Sequence, residues 1–209
     1  MSALRVTLLS DGRSDRALQY VIQWLFDDLF DDIVEVTWAD LNVVREPPKA
    51  LPDRARVAVE LHPCDVLFVH RDAERESVTA RENEIRDALA RERLPVVCVI
   101  PVRMTEAWFL FDAAAIRRAA GNPSGTVPLN LPSLSSVEDL PNPKAVLHDA
   151  LKAASELRPR RRQQLNVGSA FHALAGGIDS FAPLRELAAF QHFEASVRSV
   201  VTALRQANA

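Results

Sequence analysis

The chain has 209 residues, of which 48% are hydrophobic, and it contains 25 Lys and Arg residues and 28 Asp and Glu residues. This length and composition exclude a disordered or fibrous protein and predict a soluble globular domain with an elaboration. The net charge of −3 argues against a nucleic-acid binder that depends on overall positive charge. The charge is unevenly divided, because residues 1–112 carry −7 (14 basic, 21 acidic) and residues 113–209 carry +4 (11 basic, 7 acidic). The second half can therefore still present a local basic surface.

The chain contains no run of about 18 apolar residues, and its first apolar segment is too short for a secretory signal. We therefore expect a cytoplasmic protein with no membrane partner. Cys64 and Cys98 lie beside or within apolar, strand-like runs, with neither CxxC spacing nor histidines at ligand spacing. This setting predicts two buried, reduced thiols.

Short apolar runs rich in β-branched residues alternate with helical periodicity in the first half of the chain. The alternation indicates βαβ units and a mostly parallel sheet. Four strands are predicted at residues 5–9, 33–38, 65–70 and 96–102. Amphipathic helices are predicted between them at residues 15–29, 50–61 and 79–93. Strands that are apolar throughout are expected where helices cover both faces of the sheet.

The second half of the sequence is predicted to form a helix, a long loop and then further helices. A helix at residues 112–120 is expected to end at Gly121, and five of the 13 prolines then lie in residues 123–143, which predicts a long loop. Further helices are predicted at residues 143–157, 160–175, 183–187 and 190–206, the first of them capped by Asn142. We therefore expect an α/β core at residues 1–120, a Pro-rich loop at 121–142 and a helical C-terminal cap at 143–209.

Acidic side chains follow three of the predicted strands. Ligands of open parallel sheets bind at the carboxyl ends of the strands, and carboxylates that converge there repel one another unless a cation offsets them. Magnesium or manganese suits such a site because both prefer oxygen ligands. Asp15 also fits a simple helix cap. The acids at the predicted strand ends are Asp11, Asp15, Asp72, Glu74, Glu76 and Glu106.

Basic side chains near these acids are candidates for phosphate binding. Arg71 and Arg81 suit a two-pronged contact with phosphate, but they suit pairing with neighbouring acids equally well. His70, at the end of the third strand, fits either a ligand or base or a structural residue. The densest cluster of positive charge in the sequence consists of Arg158, Arg160, Arg161 and Arg162. This cluster fits either contacts with a nucleic-acid backbone or a solvated turn.

Two motifs carry a resemblance to a known family. A strand followed by Asp11, Gly12 and Asp15, and a later strand followed by Asp72 and Glu74, resemble the Toprim domain of topoisomerases, primases and overcoming-lysogenization-defect nucleases. The chain more closely resembles the DUF4276 family, which consists of Toprim-like bacterial proteins often linked with ATPase partners in defence loci. The segments that carry this second resemblance are residues 70–73, 106–112, 142–144 and 190–193.

The resemblance implies a Toprim-like fold and a magnesium-dependent phosphodiester enzyme. The expected activity is that of a nuclease, which cleaves DNA or RNA and works with an ATPase partner in a bacterial defence system. The resemblance places Asp11 at the catalytic glutamate position of the family, and Asp72 and Glu74 at its metal-binding Asp-x-Asp positions. Glu106 is expected to act as a fourth ligand or an orienting acid.

Alternatives to the nuclease remain open on the sequence alone. Asp11 is shorter than the usual Glu and Glu74 is longer than the usual Asp, so the site could instead be a catalytically degenerate scaffold that binds a partner protein or a nucleotide. A phosphatase is a weaker option, because no phosphate-cradling loop carries a nucleophile. The apolar face of the last helix fits either an internal core or a homodimer interface.

Overall fold

A computed structural model describes residues 3–207. Its four strands form an all-parallel sheet in the order β2-β1-β3-β4, which confirms the predicted α/β class. The fourth strand ends three residues earlier than predicted, and Pro101, which has no amide proton to extend a ladder, follows shortly after it. The strands are β1 (Leu4–Leu9), β2 (Val34–Trp38), β3 (Val66–His70) and β4 (Val96–Val99).

Helices connect and flank these strands. The α-helices are α1 (Leu18–Leu29), α2 (Leu51–Leu61), α3 (Val78–Ala88), α4 (Ala113–Ala119), α5 (Pro143–Ala154), α6 (Pro159–Gln163), α7 (Val167–Gly176) and α8 (Ala188–Ala207). Short 3₁₀ helices occupy Ser14–Ala17, Leu41–Val43, Thr105–Phe109, Leu134–Asp139 and Ala182–Glu186. The single helix predicted at residues 160–175 is wrong. Asn166 caps a separate α7 there by accepting a hydrogen bond from the amide of Ser169 at 3.0 Å.

Several helix ends follow the predicted local chemistry. Gly121 takes a φ of +75°, the left-handed conformation expected after α4. Asn142 accepts a hydrogen bond from the amide of Ala145 at 3.0 Å and so caps α5. Asp112 caps α4 in the same way through the amide of Ala115, at 2.8 Å. Short-range polar residues therefore determine where these helices begin and end.

The sheet is covered on both faces, as its apolar strands predict. Val6, Leu8 and Phe68 point to a large core that includes α1 and the C-terminal helices. The alternate residues Leu9 and Leu67 point to a smaller core on the other face, together with residues of α2 and α3. Successive side chains along each strand point to opposite faces of the sheet, so the sheet separates the two cores.

Aromatic side chains join the C-terminal helices to the sheet. The ring of Trp108 lies 5.2 Å from that of Phe190 and 5.9 Å from that of Phe193, measured between centroids. Phe193 in turn packs on Phe68 of β3, at 6.1 Å. The apolar face of α8 is therefore buried in the core of this chain.

Two further expectations can be compared with the described residues. Within residues 3–207, no helix combines the length and the apolarity needed to span a membrane. Cys64 and Cys98 are both buried and free, as predicted. Burial raises the pKa of the Cys98 thiol to about 11.

Candidate functional site

The chain reverses its winding direction between β1 and β3. It leaves β1 to form β2 on one side and returns to form β3 on the other, so the carboxyl ends of β1 and β3 flank a topological switch point. Crevices at such points are the usual ligand sites of open α/β sheets. Asp11 lies on the β1 side and Arg71 on the β3 side, and Arg71 Nε donates a hydrogen bond to Asp11 Oδ2 at 3.2 Å. We call this feature the β1–β3 crevice.

Hydrogen bonds between its own polar groups stabilise the conformation of the loop after β1. The amide of Gly12 donates a hydrogen bond to Asp15 Oδ2 at 2.8 Å, and a Cβ on Gly12 would lie only 3.1 Å from that oxygen. A side chain at position 12 would therefore crowd this contact. Ser10 Oγ bridges the loop to β2, since it donates to the Gly12 carbonyl and accepts from Trp38 Nε1, both at 2.9 Å. Asp15 thus lies inside the loop, buried, and does not cap α1.

His70 is buried between two of the predicted site acids and has an exposed fraction of 1%. Its Nε2 lies 3.1 Å from Asp72 Oδ1 and 3.0 Å from Thr105 Oγ1, and its Nδ1 lies 3.6 Å from Asp15 Oδ2. Burial acts to lower the pKa of His70, but the hydrogen bond to Asp72 and the charges of Asp15, Asp72 and Asp11 outweigh it and raise the pKa. The histidine therefore holds Asp72 by a hydrogen bond, lies near Asp15 without a hydrogen bond to it, and does not itself reach the crevice surface.

Arginines accompany the acids of the crevice. Arg54, from α2, donates to Asp11 Oδ1 and to the Ser10 carbonyl, both at 2.6 Å. Arg71 contacts Asp11 on its other oxygen and also pairs with Glu84 of α3. Arg81 pairs with the same Glu84 at 2.6 Å. Arg71 and Arg81 thus pair with neighbouring acids, which is one of the two roles expected from the sequence.

The remaining predicted acids lie apart from Asp11. Glu74 takes a φ of +54°, and its exposed carboxylate lies 3.7 Å from Arg81. Glu106 is buried beside Lys144 of α5, with Nζ to Oε1 at 3.2 Å. Glu76 is exposed, and its side chain makes no ion pair within residues 3–207. Each of these acids has a different setting, so the structure does not bring the four predicted ligands to one point.

The chemistry of the described residues fits a divalent cation in part. No group of three or more His, Cys, Asp or Glu side chains lies close enough to hold an ion together in the part of the chain that the structure describes. Asp11 and Asp72 do offer oxygen ligands at the crevice, with side chains 42% and 28% exposed. A cation at this edge would have Asp11 or Asp72 as a protein ligand, and a magnesium ion shared by the two stays a prediction.

The basic run lies on the surface. Arg158, Arg160, Arg161 and Arg162 are all exposed, around the short helix α6, which buries none of its residues. Arg162 donates to the Leu157 carbonyl at 3.2 Å. None of the four forms an ion pair with a carboxylate of residues 3–207, so their charge is available to a partner.

A pocket that the sequence did not reveal lies next to the crevice. It has a volume of about 450 Å³ and opens at the carboxyl ends of β1 and β2, where Asp11, Trp38 and Arg54 line it. Arg13 and Lys49 also line it, and neither was among the predicted site residues. We call it the β1–β2 pocket.

Comparison of the chain with protein-family models, with curated proteins and with solved structures gives no match. We therefore infer function from the residues of the crevice and the pocket. Their shared features are accessible carboxylates, arginines on both sides of a switch point and a buried histidine that orients the acids.

Proposed function

We propose that this chain is a Toprim-like, magnesium-dependent phosphodiester enzyme that cleaves nucleic acid in the β1–β3 crevice. The observation that carries the proposal is that Asp11 follows β1 and Asp72 follows β3, so that both lie at one switch point, where Arg71 donates a hydrogen bond to Asp11 at 3.2 Å. Carboxylates and guanidinium groups side by side suit a substrate that brings both a phosphate and a metal ion. The ATPase partner and the defence role are supported by the family resemblance alone.

Each side chain of the crevice has a distinct role in this proposal. Asp11 and Asp72 would hold the cation, which offsets charge on the phosphoryl oxygens when it is bound. His70 and Asp15 are positioning residues, because they are buried and act through Asp72 and the Gly12 loop. The four exposed arginines around α6 would contact the nucleic-acid backbone outside the crevice.

A second function is favoured by two contacts. Asp11 already pairs with Arg54 and with Arg71, so its charge is offset without an ion. The same arrangement would serve a scaffold that binds an anionic ligand and has lost catalysis. The two functions differ in whether Asp11 and Asp72 are needed for turnover.

Cleavage of labelled single- and double-stranded DNA and RNA, with Mg²⁺ or Mn²⁺, tests the proposal. We expect Asp11→Asn and Asp72→Asn each to reduce the rate by about 100-fold or more, while circular dichroism stays unchanged. Asp87→Asn is the matched control, because Asp87 is an exposed acid of α3 without an ion pair in the described chain, and it should cleave like the wild type. Metal-dependent cleavage that persists in both site variants would refute the mechanism. A wild type that binds nucleic acid but never cleaves it would favour the scaffold.

A further inference from the structure

We propose that the β1–β2 pocket binds a nucleoside monophosphate, either free or as the terminal residue of a nucleic acid. Its volume of about 450 Å³ lies in the range typical of small-molecule sites. Asp11 contributes to both the pocket and the β1–β3 crevice, so a ligand held in the pocket lies next to the candidate catalytic acid. The inference deepens the proposed function and rests on it for the link to cleavage.

The charges that line the pocket match a phosphate monoester. Arg13, Lys49 and Arg54 face a single carboxylate, Asp11, so the lining carries a net charge of about +2. A phosphate monoester carries between about −1.5 and −2 at pH 7, whereas each internal phosphodiester carries about −1. Asp40 offsets part of this charge at Arg13, and a monoester offsets more of the remainder than an internal phosphodiester does, which favours a terminal or free nucleotide.

The three cations differ in how firmly they are held. Arg54 is only 18% exposed and is anchored by its hydrogen bonds to Asp11 and to the Ser10 carbonyl. Arg13 lies 3.6 Å from Asp40 at the surface. Lys49 is exposed and makes no ion pair with any carboxylate of residues 3–207, so its charge is not offset by the protein. Lys49 is thus the side chain whose positive charge is most directly explained by a bound anion.

The apolar part of the pocket lining suits the ring of a nucleoside. Trp38, Pro47 and Pro48 provide apolar surface there, and the hydrogen bond from Trp38 Nε1 to Ser10 Oγ at 2.9 Å fixes the indole. A fixed aromatic ring is a good stacking partner for a base, because little side-chain freedom is lost on binding. Cationic side chains for a phosphate and an aromatic ring for a base, in one pocket, together fit a nucleotide.

Calorimetry without metal tests the inference, with adenosine 5′-monophosphate, adenosine and inorganic phosphate as probes. We expect the nucleotide to bind more tightly than either fragment. Lys49→Ala should weaken binding of the nucleotide and of phosphate by about tenfold, and leave adenosine unchanged. Trp38→Phe should weaken the nucleotide and adenosine and leave phosphate unchanged. Arg45→Ala is the matched control, because Arg45 is an exposed cation of the same loop that does not line the pocket.

A second arm compares an oligonucleotide carrying a 5′-phosphate with its 5′-hydroxyl form. Preference for the phosphorylated form identifies the end of a nucleic acid as the ligand, whereas binding of the mononucleotide alone identifies a free nucleotide. The inference is overturned if neither phosphorylated probe binds, or if Lys49→Ala and Arg45→Ala bind the nucleotide equally well. A protein that binds the nucleotide but never cleaves nucleic acid would refute the proposed function and leave the pocket assignment standing.

Discussion

Replacing Arg71 with Ala should tighten the binding of Mn²⁺ in the β1–β3 crevice. Arg71 Nε lies 3.2 Å from Asp11 Oδ2, so it competes with any cation that binds this carboxylate. Its removal leaves Asp11 with Arg54 as the one remaining arginine partner in the described chain. If Asp11 is a metal ligand, the freed oxygen becomes available to the ion.

The size of the effect follows from the distance and the exposure of the pair. Two unit charges 3.2 Å apart attract by about 1.3 kcal/mol in bulk water and by about 5 kcal/mol at an effective dielectric of about 20. Asp11 and Arg71 are 42% and 29% exposed, and exposed pairs contribute only about 0.2–1 kcal/mol once solvent screening is included. We therefore expect about 1 kcal/mol, or a roughly fivefold gain in affinity for Mn²⁺.

Isothermal titration with Mn²⁺, in the absence of any substrate, measures this gain directly. Arg91→Ala is the matched control, because it removes the same charge from an exposed residue that makes no ion pair within residues 3–207. The reasoning is refuted if Arg71→Ala binds Mn²⁺ no more tightly than Arg91→Ala does. That result would mean that Asp11 does not contact the ion.

Three further changes test the packing and the site loop. Trp108→Ala should lower the free energy of unfolding by about 3–5 kcal/mol in urea titrations, because the fully buried ring packs on Phe190 and Phe193. The pKa of Cys98 is about 11 when folded, against 9.0 for an ordinary thiol, so the wild type should lose up to about 1.4 kcal/mol of stability per pH unit between pH 9 and 11 through this group. Cys98→Ala should remove that part of the loss, and an unchanged pH profile would contradict it. Gly12→Ala should cost about 1 kcal/mol in thermal unfolding, because the new Cβ meets Asp15 Oδ2; equal stability would show that the loop relaxes freely.

The sheet was predictable because its signals are local. The runs of β3 and β4 are apolar on both faces, and the parallel pairing follows from the helices between the strands. The convergence of Asp11 and Asp72 at one edge also follows, since the carboxyl ends of parallel strands share an edge. These expectations needed the element order and no side-chain detail.

The parts that sequence reasoning missed depend on side-chain direction and reach. Glu106 follows β4 as expected, but the 3₁₀ helix turns its carboxylate towards Lys144 of α5. Glu74 takes a left-handed conformation, and its carboxylate lies near Arg81. Arg54 lies within the helix predicted at residues 50–61 and was not among the predicted site residues, yet its long side chain reaches back to Ser10 and Asp11. Spacing along the chain carries no information on these contacts.

The uneven charge of the two halves has a physical meaning in the folded chain. Arg54, Arg71 and Arg81 come from the acidic half and neutralise acids at its sheet edge, whereas the arginines around α6 in the basic half remain exposed. A phosphate that binds Arg71 would release Asp11 from this ion pair, and a cation that binds Asp11 would release Arg71. Each ligand would therefore free the residue that binds the other ligand. Binding of phosphate and of metal should therefore be positively coupled, and this coupling is reciprocal by thermodynamic necessity. Without a ligand, the acids and arginines at this edge offset one another's charge. When a phosphate and a cation bind together, these ion pairs would be exchanged for contacts with the two ligands.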